Sequence, residues 1–268
     1  RHRFAPDSGE VKEAVKLLLA AKKPVVWSGM GVLMAQASAE LTELAELCEL
    51  PVYCTMPGKS GFDQRHPLSL GSGSGATSQE ARTWLQESDV LFAVGSSLSK
   101  TSYGQPIPGG KIMIHNTETI ADLNKDFSVD VGLVGDAKIT LQMMIDEVKS
   151  QIGDQGRKGS TSVSSEISKI HDQWMKQWND VLASDETPIS GYRVIGEMIN
   201  VLDKENSIVT HDAGAPRDMI MPFYPGTVPH SYVGWGKTTH LGYGIPLMTG
   251  VKMACPDKFC INFMGDGA

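Results

Sequence analysis

Between residues 10 and 150 the chain alternates short apolar runs with amphipathic stretches, and that alternation leaves few folds open. "VKEAVKLLLAA" (11–21) places Val11, Ala14, Val15, Leu18 and Leu19 on one helical face. "PVVWSG" (24–29) then reads as a short strand ending in glycine. Helix "SAELTELAELCEL" (38–50) and strand "PVYCT" (51–55) repeat the pair. After a Gly/Ser loop come helix "SQEARTWLQES" (78–88) and strands "VLFAVG" (90–95), "KIMIHN" (111–116) and "VGLVGD" (131–136). Helix "AKITLQMMIDEV" (137–148) closes the unit. Strands joined by helical crossovers must run parallel, with helices covering both faces of the sheet. The unbroken apolar character of "VLFAV" agrees, because such strands are buried on both sides.

The pattern stops at "SQIGDQGRKGSTSVSS" (150–165), which is polar, Gly/Ser-rich and without an apolar period. It predicts a poorly ordered connection between units. The boundaries are therefore 1–150 for a parallel-sheet domain, 151–165 for a linker, and 166–268 for a second, incomplete α/β unit. In that unit "EISKIHDQWMKQWNDVL" (166–182) is helical, with Ile167, Ile170, Trp174 and Trp178 along one stripe. The stripe reads as core or docking surface. Ser190 can cap the helix that leads to strand "SIVTHDAG" (207–214). Phe259, Ile261 and Phe263 mark a last strand, expected to be buried and bounded by Pro256 and Gly265.

Composition excludes several classes. The net charge of −7 argues against a nucleic-acid partner, which calls for a concentrated basic face. No apolar run reaches the roughly 18 residues of a membrane helix, and "RHRFAPDSG" lacks the apolar core of a secretory signal. Cys48, Cys54, Cys255 and Cys260 lack Cys-x-x-Cys spacing, and reduced thiols in a cytoplasmic protein account for them. The histidines are scattered singly, so a zinc cluster is not expected.

Several small-residue segments could carry chemistry. "SGMGVL" (28–33) follows the first strand but lacks the third glycine of a dinucleotide fingerprint, and "PVYCT" ends in Thr55 rather than an acid. "GSGSGAT" (71–77) is either a phosphate-wrapping turn or a plain loop. In the second unit "THDAGAPRD" (210–218), "GWGKTTHLGYGIP" (234–246) and "MGDGA" (264–268) each sit where a strand end is expected or nearby. Strand-end loops in open α/β sheets border the ligand crevice, so these three could converge on one site. Glycine lets the backbone approach a ligand closely, and amide N–H groups take up phosphate charge. Asp266 would then hold a divalent cation. Mg²⁺ takes oxygen ligands, usually one or two carboxylates with phosphate oxygens and water.

This constellation resembles the thiamine diphosphate-dependent enzymes of the acetolactate synthase type, over nearly the whole chain. The resemblance implies a Rossmann-like, six-stranded central domain followed by the first part of a diphosphate-binding domain. Gly265, Asp266 and Gly267 match the opening of the family's metal motif, with Ala268 where a Ser or Ala is usual. The motif's closing Asn pair would lie beyond Ala268, which implies a fragment of a longer enzyme. "HLGYGIP" is similar to the family's Met-Gly-Phe-Gly-Leu-Pro. By that likeness His240 lies in the cofactor-binding segment, Leu241 is the bulky residue that keeps the cofactor bent, and the backbone at Thr239 and Leu241 faces its aminopyrimidine. "DAGAP" resembles the diphosphate-contacting segment through Gly214 and Ala215, although Ala215 and Pro216 replace a Gln-His pair.

The resemblance implies thiamine diphosphate and Mg²⁺ as cofactors, with a 2-oxo acid or related carbonyl substrate. It also implies a homodimer or homotetramer. It puts no catalytic residue in this chain, because the family's activating glutamate belongs to an N-terminal domain without a counterpart here. Acetolactate synthases carry FAD in the central domain, but Ser97 stands here for an expected Arg and Gly73 for an expected His, which argues against it. Two other readings remain at this level: a nicotinamide- or flavin-dependent oxidoreductase using the 28–33 loop, and a non-catalytic paralogous subunit.

Overall fold

The computed structural model describes residues 2–157, 162–235 and 240–268. The first unit opens with α1 (Ser8–Ala20), whose N-cap Asp7 accepts N–H bonds from Gly9 and Glu10 at 2.8 and 3.2 Å. There follow β1 (Pro24–Ser28), α2 (Met30–Met34), α3 (Ser38–Cys48), β2 (Val52–Thr55), β3 (Ser69–Gly73) and α4 (Gln79–Glu87). The unit ends with β4 (Val90–Val94), β5 (Ile112–Thr117), β6 (Val131–Val134) and α5 (Ala137–Ile152). All six strands are parallel, in the order β3-β2-β1-β4-β5-β6. That is the doubly wound α/β order, which reverses direction between β1 and β4.

Strand alternation divides the core into two layers. Val26, Cys54, Phe92, Ile114 and Leu133 pack beneath α1, α3 and α5. Val25, Trp27, Tyr53, Leu91 and Met113 face the other way, toward Trp84 and Leu85 of α4. Two elements differ from expectation. The Gly/Ser loop contains edge strand β3, which pairs with β2 and ends where Tyr53 Oη donates to Gly73 O at 3.0 Å. The turn after β1 holds the short helix α2.

The second unit comprises α6 (Ser162–Leu182), α7 (Gly191–Val201), β7 (Ser207–His211), α8 (Ala215–Ile220), β8 (Tyr232–Val233), α9 (Gly244–Ala254) and β9 (Phe259–Phe263). Its parallel sheet runs β8-β7-β9. β9 is not the buried strand that its sequence suggests. It lies at the sheet edge, and Phe259 is 56% exposed. α6 begins inside the segment read as a linker, at Ser162, and residues 158–161 lie outside the described residues. The described part of that connection packs onto the first unit: Arg157 caps the end of α1 by donating to the carbonyls of Leu18 and Ala21 at 3.0 and 3.2 Å. A cation at a helix C-terminus satisfies carbonyls that have no helical partner.

The tryptophan stripe docks α6. Trp174 stacks on Phe223 with ring centroids 5.0 Å apart, and Trp178 meets Tyr192 and Phe223. The segment after β2 joins the two units more tightly. Met56 is part of the second unit's core, beside Val209, Tyr224 and Tyr232. Lys59, fully buried, donates from Nζ to Ser72 Oγ at 2.9 Å and to Met221 O at 3.0 Å, and lies over the Tyr232 ring. Gln64 N–H donates to Gly226 O at 3.0 Å, and the Gln64 side chain accepts the Gly226 amide in return.

Candidate cofactor site

β7 and β9 end side by side, so the loops that follow them start as neighbours. His211, the last residue of β7, stacks on Trp235 with centroids 5.1 Å apart and an interplanar angle of 10°. Burial pushes its imidazole down to about 4, so it is neutral at physiological pH. Asp212 comes next and is completely buried. Its carboxylate accepts from Ala213 N at 2.8 Å, Gly242 N at 2.9 Å and Gly244 N at 3.0 Å. Its own N–H donates to Phe263 O at 2.9 Å.

These bonds gather the three small-residue loops. A Cβ on Gly242, where φ is +82°, would lie 3.6 Å from the Ala268 carbonyl carbon. A Cβ on Gly265 would lie 3.7 Å from the Pro216 ring. Gly214, Ala215, Leu241, Gly265, Gly267 and Ala268 therefore border one region. His240 is exposed at the start of its turn, and Thr239 lies outside the described residues. Gly214 takes φ +78°, and its hydrogens, like those of Gly267, face open space with no atom within 4 Å of a built Cβ. Leu241 is 58% exposed. Asp266 is exposed, and among the described residues no hydrogen bond or ion pair occupies its carboxylate.

The region suits a phosphorylated, metal-bound ligand. Bare glycine backbone lies open at Gly214 and Gly267, and a free carboxylate stands between Gly265 and Gly267. Among the described residues no three His, Cys, Asp or Glu side chains cluster as a self-sufficient metal site. Mg²⁺ bound through one carboxylate and substrate phosphate oxygens needs no such cluster. Beside the region, the Arg217 guanidinium forks onto Asp218 at 2.8 and 2.9 Å, and Ser74 from the first unit donates to the same carboxylate. Burial pushes the Asp218 carboxyl up, but these bonds outweigh it and hold it below the usual range.

A separate cavity of about 640 Å³ opens at the C-terminal ends of β1, β2 and β4. Trp27, Tyr53, Leu98 and Phe127 supply apolar walls, and among the described residues Lys100 is its only lining cation. Ser97 and Gly73 both line it. The glycines of "SGMG" have a packing role: a Cβ on Gly29 or Gly31 would collide with the Gly95 backbone at 2.3 or 2.6 Å. The acetolactate synthase likeness would place an Arg at Ser97 and a His at Gly73 in this lining, and neither is present. The purified protein is expected to be colourless, carrying well under one flavin per chain. A stoichiometric flavin spectrum that survives gel filtration would contradict this.

The family description of a thiamine pyrophosphate enzyme central domain matches residues 11–144, half of the chain, and that of the C-terminal TPP binding domain matches 212–268. The chain belongs to the thiamine pyrophosphate enzyme family. The probable acetolactate synthase large subunit of Methanococcus aeolicus is 31% identical over 266 residues, covering 96% of this chain and 44% of that protein. The acetolactate synthase isozyme 3 large subunit of Escherichia coli is 29% identical over 269 residues, covering 97% of this chain and 45% of that protein. The sulfoacetaldehyde acetyltransferase of Roseovarius nubinhibens is 28% identical over 289 residues, covering 98% of this chain and 47% of that protein. The chain thus spans less than half the length of these curated relatives.

Within this member of the family, the sequence pattern did not mark Asp212 as the residue that joins the loops. The available signal was its place, directly after a strand and before an Ala-Gly turn. Sequence reading also missed the His211–Trp235 stack, because 24 residues separate the two rings along the chain.

Proposed function

We propose that this chain contributes the diphosphate- and Mg²⁺-binding part of an enzyme that makes or breaks a C–C bond next to a carbonyl, with a 2-oxo acid or related donor as substrate. The convergence of the 212–216, 240–244 and 264–268 loops, with the exposed Asp266 carboxylate on the last of them, carries this reading. In it, residues 1–150 are the central domain, 151–165 the linker, and 166–268 part of the thiamine diphosphate domain. Asp266 holds the cation. Backbone at Gly214, Ala215, Gly265, Gly267 and Ala268 receives the diphosphate, and Thr239, His240 and Leu241 seat the pyrimidine side. Bound there, thiamine diphosphate supplies an electron sink beside the reacting carbonyl.

The chain's own part is to bind and orient. Open glycine backbone takes phosphate oxygens without steric cost, and Leu241, exposed at its turn, is free to press on a ligand that its neighbours hold. The assembled enzyme is a homodimer or homotetramer in this reading, as the acetolactate synthase likeness implies. The oxidoreductase alternative has less support, since close packing against Gly95 accounts for the glycines of the 28–33 loop.

Titration calorimetry with thiamine diphosphate, with and without Mg²⁺, tests the reading on the protein as its gene encodes it. Saturable binding that requires the metal is the expected result. Absence of binding under both conditions would reject the reading and favour a non-catalytic paralogue.

A further inference from the structure

The carboxylate of one residue ties two loops of the site together, and its backbone pairs with the strand that leads into the third. The Asp212 backbone N–H holds the end of β9 through Phe263 O at 2.9 Å. Its carboxylate accepts from its own loop at Ala213 N, and from Gly242 N and Gly244 N across 30 and 32 residues. The side chain is completely buried, so no water competes for these bonds. Hydrogen bonds from amides to a buried carboxylate are among the stronger ones a protein makes.

The surroundings are shaped to permit this. A Cβ on Gly244 would meet the Asn262 amide group, so a side chain there would have to displace Asn262. Gly242 takes a positive φ that side-chain residues rarely adopt. Both amides turn inward to Asp212, and Leu241, just before the first of them, is left exposed.

We propose that Asp212 is the positioning residue of the cofactor site, setting the separation between the 213–216 segment and the 240–244 turn beside the end of β9. The proposal rests on the thiamine diphosphate reading above. A bent ligand gripped at two ends needs those ends at a fixed spacing, and an error of about 1 Å in a supporting element costs heavily in binding or rate.

Asp212→Asn tests it, because it keeps the shape and one acceptor but turns a donor toward one glycine amide. Hydrogen exchange in the ligand-free protein and thiamine diphosphate affinity with Mg²⁺ are measured on the same samples. Exchange at whichever of the Gly242 and Gly244 amides faces the new donor is expected to accelerate about tenfold or more, with affinity falling by a similar factor, about 1.4 kcal/mol. Amides of the six-stranded sheet should keep wild-type protection. Wild-type affinity in Asp212→Asn alongside faster loop exchange would overturn the proposal, since the tie would then not reach the ligand. Loss of protection throughout the sheet would overturn it in favour of a purely structural role. If the wild type itself binds no thiamine diphosphate, the functional reading fails, and the positioning role fails with it.

Discussion

Asp266→Ala, made in the protein as its gene encodes it, is expected to lower Mg²⁺-dependent affinity for thiamine diphosphate about a hundredfold or more and to leave the fold intact. The two halves of this expectation come from different observations. Asp266 is exposed and, among the described residues, bonded to nothing, so its removal breaks no internal contact. It is also the one carboxylate standing between the glycines of the 264–268 turn. Without it a cation bridging the diphosphate loses its anionic protein ligand, at a cost of several kcal/mol or about 3 kcal/mol at the least. Asp266→Asn should be milder, because it keeps an oxygen ligand and loses only charge. Calorimetry on the three proteins, with circular dichroism as the check on folding, measures both halves. Undiminished binding by Asp266→Ala would move the metal site elsewhere.

Lys59 should give the protein a stability that climbs with pH above neutrality. The ammonium is fully buried where the two units meet, and burial pulls its pKa down to about 7 from 10.5. The unfolded chain therefore binds more protons than the folded one between those values, and stability rises with pH wherever that holds. Lys59 adds no slope below about pH 7, where both states are protonated, or above about 10.5, where neither is. Within the window the slope approaches about 1.4 kcal/mol per pH unit. Tyr53 and Tyr232 are pushed upward by burial and oppose the trend as the unfolded chain's tyrosines ionise near 10, so pH 7 to 9 is the useful range. Urea unfolding of wild type and Lys59→Met at pH 7, 8 and 9 isolates the effect, because the other groups are common to both proteins. Wild type should gain on the variant with each step, and parallel profiles would show that folded Lys59 keeps its proton across the window, as the unfolded chain does.

The buried position of Lys59 is not legible from "MPGKSGF", where no apolar period places the cation on a covered face. Its two acceptors belong to different units, and one of them, the Met221 carbonyl, lies 162 residues away. β3 was hidden for a different reason. "SLGSG" has no apolar alternation, and backbone pairing with β2 makes it a strand. β9 failed in the opposite sense: its alternating Phe259, Ile261 and Phe263 correctly indicate a strand, but alternation does not say whether anything covers the outer face.

The sequence by itself determined the parallel α/β character of the first unit, since apolar runs separated by amphipathic helices have few other ways to bury their surface. It also marked the three glycine-bearing loops and Asp266, because close backbone approach and a lone carboxylate are written in residue types. Only the tertiary structure decided the order of the strands, the joining of the units through Met56 and Lys59, and the role of Asp212. Periodicity and propensity record what a residue asks of its immediate neighbours. A carboxylate that collects amides from 30 and 32 residues downstream has no local signature, because its partners become neighbours only once the strands pair.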